Sequence, residues 1–252
     1  IADILQQRGE TDEALRTLRE ELLPVFQRLG DVHSRAVTMG RIADILQQRG
    51  ELDEALRIRR EEEMPVYEQV GDLRSRAVTM GKIAHILQQR GETDEALRTL
   101  REELLPVFER LGDVRSRAMT MGRIADILQQ QGETDEGLRI RREEELPVYR
   151  QLGDVHSTAV TMGQIADVLQ QRGETNKALQ IRQEEELPVY ERLGDVYLSA
   201  ITMAKIGTCL LTLGDQEAAK TSYEQALPIL ERVLGSEHPT TDWVRSTLNS
   251  LH

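Results

Sequence analysis

Apolar residues recur along this chain at alternating spacings of four and three. In residues 31–48, DVHSRAVTMGRIADILQQ, the positions Val32, Ala36, Met39, Ala43 and Leu46 keep that spacing and polar residues fill most of the others. This is the stripe of an amphipathic helix with one face turned to a core. Gly30 and Asp31 stand before it. The glycine can end a preceding helix, and the aspartate can cap the next by accepting a free backbone N–H. A second helical stretch begins at Thr11-Asp12-Glu13 and runs towards Leu29. Its threonine offers a hydroxyl cap, and its two carboxylates suit the positive end of a helix. The pattern predicts helix A, turn, helix B, turn.

The same unit returns at a fixed step of 41 residues. IADILQQRGE stands at 1–10 and 42–51, IAHILQQRGE at 83–92, IADILQQQGE at 124–133, IADVLQQRGE at 165–174 and the divergent IGTCLLTLGD at 206–215. A second marker keeps the step through Gly30, Gly71, Gly112, Gly153, Gly194 and Gly235. The capping aspartate follows at Asp72, Asp113, Asp154 and Asp195. A period held without drift over a whole chain is the mark of a repeat architecture, in which each unit buries its apolar face against its neighbours. The units are 1–30 (copy one, with a partial helix A), 31–71, 72–112, 113–153, 154–194 and 195–235 (copies two to six), followed by a terminal capping helix in 236–252.

The run Gly91-x4-Ala96, with Ile83-Ala84 and Leu87 before it, resembles the tetratricopeptide repeat (TPR), where small residues let helices A and B pack closely. The last unit resembles it most, through Leu213-Gly214, Ala219, Tyr223 and Ala226-Leu227-Pro228. Its ending, Leu234-Gly235-Ser236-Glu237-His238-Pro239-Thr240, is similar to the long repeats of kinesin light chains. Pins-like polarity adaptors and bacterial sensor arms have a similar step. The resemblance implies an all-α fold, a TPR-type α-solenoid in which antiparallel helix pairs form a right-handed superhelix. It also implies a non-catalytic scaffold for protein–protein interaction, part of a larger adaptor or signalling protein.

Two departures stand out. Where the family has a small residue late in helix B, the first five copies have Glu21, Glu62, Glu103, Glu144 and Glu185, and only Ala226 restores it. Each of these copies also carries a proline inside helix B: Pro24, Pro65, Pro106, Pro147 and Pro188. The sixth, Pro228, falls one residue earlier than the step predicts. Proline removes a backbone donor, so a bend is expected there, with Val-Tyr/Phe-x-x-Leu on a separate short segment.

The copies also form an internal mutation series. Copies one and three read Thr17-Leu18, Leu22, Phe26 and Thr99-Leu100, Leu104, Phe108. Copies two, four and five read Ile58-Arg59, Glu63, Tyr67; Ile140-Arg141, Glu145, Tyr149; and Ile181-Arg182, Glu186, Tyr190. Three of the switching positions are four apart on helix B, where neighbours touch. An arginine set against a leucine would be an unpaired, half-buried charge, so the physical reading is a partly buried Arg–Glu pair with the tyrosine hydroxyl nearby. Block duplication of copies one and two into three and four also accounts for the alternation.

Composition narrows the function. Lys+Arg 32 against Asp+Glu 44 gives a net charge of −12, which excludes a phosphate-tracking surface and with it nucleic acid as the expected partner. Aromatic residues make up 3%, so the core is aliphatic and an aromatic-lined catalytic pocket is not expected. All but four of the basic residues are arginine, a choice that favours fixed, forked contacts with carboxylates. No apolar run reaches a membrane span, and Ile1–Leu5 has no charged leader region. The lone Cys209 has no partner for an internal disulfide and no adjacent base, which fits a buried structural thiol, a reducing compartment and a cytoplasmic location. The histidines are scattered, and the runs Glu61-Glu62-Glu63 and Glu143-Glu144-Glu145 point three ways on a helix. No metal, cofactor or catalytic residue is expected. Trp243, Val244, Leu248 and Leu251 form the apolar stripe of the capping helix.

In the TPR family helix A lines the concave face. That register, carried onto this chain, gives a basic and amide ladder (Arg41, Lys82, Arg123, Gln164, Lys205), an acidic ladder broken once (Asp3, Asp44, His85, Asp126, Asp167) and an amide ladder (Gln6, Gln47, Gln88, Gln129, Gln170). Donors repeated at one-repeat intervals suit an extended peptide or an acidic segment. Pairing of the Arg and Asp ladders between repeats is the plain structural alternative. His85 marks a place for a specific or pH-dependent contact, or a solvated histidine. Gly40, Gly81, Gly122 and Gly163, with Ala204, form a further ladder. Glycine inside a helix is costly, so close approach of adjacent helix A backbones, or else of a ligand, is expected there. The alternative function is self-association, head to tail or as a dimer, through the open half-repeat Ile1–Gln7.

Overall fold

A computed structural model describes residue 5 and residues 8–251. Asp3, Gln6 and most of the half-repeat Ile1–Gln7 lie outside the described residues. The chain divides into two compact units, Ile1–Thr120 and Met121–His252. Among the described residues every element is helical, and helices A and B alternate. The helices A span Val32–Gln48, Leu73–Gln89, Val114–Gln130, Val155–Gln171 and Val196–Thr212. The helices B occupy residues 11–29, 52–70, 93–111, 134–151 and 175–193, then Gln216–Leu234, and Pro239–Asn249 follows.

The glycine–aspartate punctuation works as its chemistry requires. Gly30, Gly71, Gly112 and Gly194 end their helices in the left-handed region that glycine adopts without strain. The next residue caps: Asp31, Asp72, Asp113 and Asp154 accept the N–H of Ser34, Ser75, Ser116 and Ser157 at 3.0 Å, and Asp195 that of Leu198 at 2.9 Å. The expected threonine cap of helix B is corrected. Glu10 holds the cap position without a side-chain bond, and Thr11 sits one residue inside the helix. The acidic first turn, Asp12-Glu13, stands.

The proline region also differs from expectation. In place of a simple bend, helix B of copies one to five widens into a π-helical turn just before each proline: Thr17–Leu22, Ile58–Glu63, Thr99–Leu104, Arg141–Glu145 and Arg182–Glu186. Leu187 N–H donates to Arg182 C=O, five residues back, where an α-helix would reach four. The proline then falls in the first turn of the following α segment, where no N–H is needed. Copy six explains why. From Ala178 to Pro188 the chain is one residue longer than from Ala219 to Pro228, and from Pro188 to Gly194 one residue shorter than from Pro228 to Gly235. The π turn absorbs the extra residue, and copy six, lacking it, runs as one α-helix through Pro228.

The inserted residue decides what faces inward. Counted back from the proline, Ala226 matches Glu63, Glu145 and Glu186, not Glu62, Glu144 and Glu185. Ala226 is fully buried, and those glutamates are 5–6% exposed. The Arg–Glu pairing holds: Arg59, Arg141 and Arg182 are at most 1% exposed and donate to Glu63, Glu145 and Glu186 at 2.8, 3.1 and 3.1 Å. The other glutamate oxygen accepts from Thr79, Thr161 or Thr202 of the next helix A at 3.1–3.2 Å. Tyr67, Tyr149 and Tyr190 are buried beside the pairs. In copy three Leu100 and Leu104 take the same places and are buried too.

Three of the four ladder glycines of helix A serve this pair, which corrects the expectation of touching helix A backbones at Gly40, Gly122 and Gly163. A Cβ on Gly40, Gly122 or Gly163 would stand 2.6, 2.5 or 2.5 Å from an oxygen of Glu63, Glu145 or Glu186. Where Ala226 replaces the glutamate, Ala204 replaces the glycine and packs in the same cluster. The remaining core is aliphatic, as in the cluster of Leu138, Leu146, Ile165, Val168 and Leu169. Cys209 is buried within it, and burial pushes its thiol pKa up. In Pro239–Asn249, Val244 is fully buried and Trp243 meets Tyr223 edge-on at 6.1 Å.

Two predictions follow from these contacts. Arg182→Leu leaves the Glu186 carboxylate buried without its cation and lowers stability by about 3 kcal/mol or more. Arg182→Leu with Glu186→Leu, the state of copy three, recovers most of that loss in thermal melts followed by circular dichroism. Equal melting of the single and double variants would show that the pair is not a unit. The bonds from Ser75 hold the Asp72 carboxyl below the usual carboxylate range. Its contribution is therefore complete at neutral pH and lost as pH falls through that lowered value. Asp72→Asn keeps an acceptor oxygen without the charge, so the stability difference from wild type shrinks between about pH 5 and pH 2. A difference constant over that range would remove the charge from the cap.

Candidate functional site

Nine of the ladder residues gather into two polar cavities, one in each unit. In the first unit Asp44, Gln47, Lys82 and His85 line a cavity of about 400 Å³ together with Gln48 and Gln89. In the second, Asp126, Gln129, Gln164, Asp167 and Gln170 line one of about 560 Å³ with Arg141 and Gln171. Both lie along the carboxyl-terminal half of helix A, where the 41-residue step sets equivalent side chains of successive helices next to each other. Arg41, Gln88, Arg123 and Lys205 do not line them.

Most of the charge in these walls is already paired. Lys82 Nζ reaches both oxygens of Asp44 at 2.7 and 2.6 Å, and Lys205 Nζ reaches those of Asp167 at 3.0 and 2.8 Å. From below, the buried arginines approach the same aspartates: Arg59 Nη2 donates to Asp44 and Arg182 Nη2 to Asp167, each at 2.5 Å, and Arg141 Nη2 donates to Asp126. Each buried arginine thus lies between two carboxylates, a glutamate on its own helix B and an aspartate on the preceding helix A.

The electrostatics follow the burial. Burial pushes the Glu186 carboxyl above the usual carboxylate range, and Arg182, Lys205 and the Thr202 hydroxyl act against it. Burial likewise works against the charge of Arg182, yet Asp167 and Glu186 together raise its pKa. Arg123, partly buried, has its pKa lowered by that burial, with Asp126 opposing.

The amide ladder is partly bound to itself. Gln47 Nε2 lies 2.9 Å from His85 Nδ1 and donates to Gln89 at 2.8 Å, while Gln129 donates to Gln171 at 3.1 Å. His85, exposed, meets the Gln47 amide. Fifteen residues on from His85 stands Leu100, where copies two, four and five, with Asp44, Asp126 and Asp167, have arginine; copy one keeps Asp3 with Leu18. That correlation was the available signal for the Asp–Arg contact, which reading helix B alone missed. The threonines Thr79, Thr161 and Thr202 gave no such signal, because each of copies two to six has one.

Among the described residues no group of His, Cys, Asp and Glu is placed to hold a metal ion, and no helix is long and apolar enough to cross a membrane.

Stacked A/B pairs of this length define the all-α, TPR-type fold, and comparison with known proteins agrees. Tetratricopeptide repeat family models match residues 199–240 and, with a second model, 2–20 and 84–102. A search of the curated proteins returns no match. The solved structures that match share the fold at low identity. BtubC (BKLC) from P. vanneervenii is 17% identical, with a TM-score of 0.72 and 93% of each chain covered. The signal transduction ATPase with numerous domains (STAND) from Pyrococcus horikoshii, which has a tetratricopeptide repeat sensor, is 16% identical with a TM-score of 0.80; the match covers all of this chain and 37% of that one. A Podosopora anserina putative kinesin light chain with nearly identical TPR-like repeats is 16% identical, with a TM-score of 0.63, 79% of this chain covered and 96% of that one.

The two cations on Asp167 differ in worth. Asp167→Ala removes a partner from Arg182, which has no exposed surface, and is expected to cost about 2 kcal/mol or more. Lys205→Ala removes a cation whose side chain is 37% exposed and is expected to cost less than about 1 kcal/mol. Urea denaturation of both variants checks the order, and the reverse order would place the structural charge on the lysine.

Proposed function

We propose that this chain is a non-catalytic interaction module that binds an extended protein segment along the helix A face, within a larger adaptor or signalling protein. Tetratricopeptide repeats generally mediate protein–protein interaction or scaffolding, and their fold is typically non-catalytic. The observation that carries the reading to this face is the pair of open polar cavities at equivalent places two repeats apart, lined by Asp44 and Gln47 in one unit and by Asp126 and Gln129 in the other. Amides and carboxylates at a fixed step offer backbone and side-chain hydrogen bonds to a segment without secondary structure of its own.

The pairing of Lys82 and Lys205 leaves the face less basic than its ladder suggests, so an acidic segment gains little there. The STAND protein's tetratricopeptide repeat sensor offers a setting for such a module.

A display library of random dodecapeptides selected on the immobilised chain tests the reading. Selected peptides are expected to lose affinity at least tenfold, about 1.4 kcal/mol, in the Gln129→Ala/Gln170→Ala variant. Selection of peptides indifferent to that variant, or a persistent dimer in light scattering that binds none, would favour self-association instead.

A further inference from the structure

A lysine completes two of the three buried networks and is missing from the third. Lys82 sits on Asp44 and Lys205 on Asp167, but the equivalent place beside Asp126 holds Gln164. Gln164 turns inward and accepts from Arg141 Nη1 at 2.7 Å. Asp126 keeps Arg141 as its hydrogen-bonded cation, with Arg123, three residues earlier, acting on it through space. The consequence is visible as open surface. The Asp126 side chain is 47% exposed, against 34% for Asp44 and 36% for Asp167. The cavity over it is about 560 Å³, against about 400 Å³ where Lys82 forms part of the wall.

We propose that this cavity receives a primary ammonium, the end of a lysine side chain on the bound segment, seated on Asp126 as Lys82 and Lys205 are seated on their aspartates. The inference rests on the helix A face being the binding surface and gives its partner a chemistry. Two copies of the same network supply the template: a carboxylate already bonded to a buried arginine still takes an ammonium on its open side. The charges agree, since Asp126 and Glu145 share Arg141, whereas in copies two and five the lysine balances the second carboxylate. A carboxylate ligand finds little to hold on Arg141, whose side chain is 2% exposed and whose Nη atoms already serve Asp126, Glu145 and Gln164. The inward turn of Gln164 leaves room for the methylene chain of the entering lysine.

The probe is N-acetyl-lysine methylamide, with N-acetyl-norleucine methylamide as its uncharged counterpart, titrated into the labelled chain while the side-chain amide signals of Gln129, Gln164 and Gln171 are followed by NMR. The lysine probe is expected to shift these signals saturably at about millimolar concentration, and the norleucine probe not to. Gln164→Lys puts the ammonium inside the chain, so it is expected to melt higher than wild type and to lose the response at least tenfold. Equal responses to the two probes, or a Gln164→Lys variant that binds the lysine probe as wild type does, overturn the inference. The two readings separate in the selected peptides. If these lose affinity in Gln129→Ala/Gln170→Ala but bind Gln164→Lys as well as wild type, the helix A face stands and the ammonium site falls.

Discussion

A guanidinium with no exposed surface must be neutralised where it lies, and most of the unusual features of this chain follow from that requirement. Arg182 has a glutamate at 3.1 Å on one side and an aspartate at 2.5 Å on the other. Removing either partner alone strands charge in the interior, at a cost comparable to much of a domain's net stability. Each partner makes its own demand. The glutamate needs a threonine from the next helix A and a glycine opposite, because a Cβ there would sit 2.5 Å from its oxygen. The aspartate takes a lysine from the next helix A. One buried ion therefore engages residues on three helices; copies one to five carry either the arginine–glutamate pair or the leucine alternative on helix B, and the network of copy four has Gln164 in place of the lysine.

The geometry depends on one inserted residue. In a regular α-helix the chain after residue 182 would turn Glu185 into the place Ala226 holds in copy six; the π turn holds back the rotation by one residue and brings Glu186 there instead. The exposed Glu185 is free to meet Arg150 at 3.1 Å. The extra residue also lets proline stand where its missing donor does no harm. Proline and π turn are thus parts of one local solution, and the turn after helix B gives back the residue that the π segment took: Gly194 ends its helix in the left-handed region, whereas Gly235, one residue further from its proline, adopts an extended ψ of 159°.

Much of this was legible in the sequence because repetition exposes periodicity and covariation. The step of 41, the Gly-Asp punctuation and the coupled change of Arg59 with Glu63 all read directly into helices, caps and a buried pair. What was not legible depends on facing across helices. Gly40 looks the same in sequence whether it admits a backbone, a ligand or Glu63, and only the distances choose. A threonine before two acids reads as a cap, yet the turn sets Glu10 at that position. The misplaced Pro228 was the trace of the π insertion, but a one-residue offset has the same appearance as a loop difference until the backbone is seen. Of the site, the ladders placed the cavity walls correctly in part; Arg141, read as a helix B core residue, turned out to form the floor of one cavity.

Near-identical repeats face a problem of discrimination: a surface that repeats at every step offers a bound segment the same contacts in several registers. Register is fixed only where copies differ. Here the differences on the helix A face are few, and they are tied to the core beneath. At Leu100 there is no buried arginine to neutralise and His85 stands in the acidic ladder, while the glutamine at 164 leaves Asp126 without the lysine its equivalents have. Substitutions of this kind alter the cavity walls without disturbing the helix ladder, since the buried arginine is neutralised by the glutamate and aspartate whether or not the outer lysine is present. The ion network thus separates the two tasks. Its inner members hold the repeats together, and its outermost position is open to variation that a partner can read.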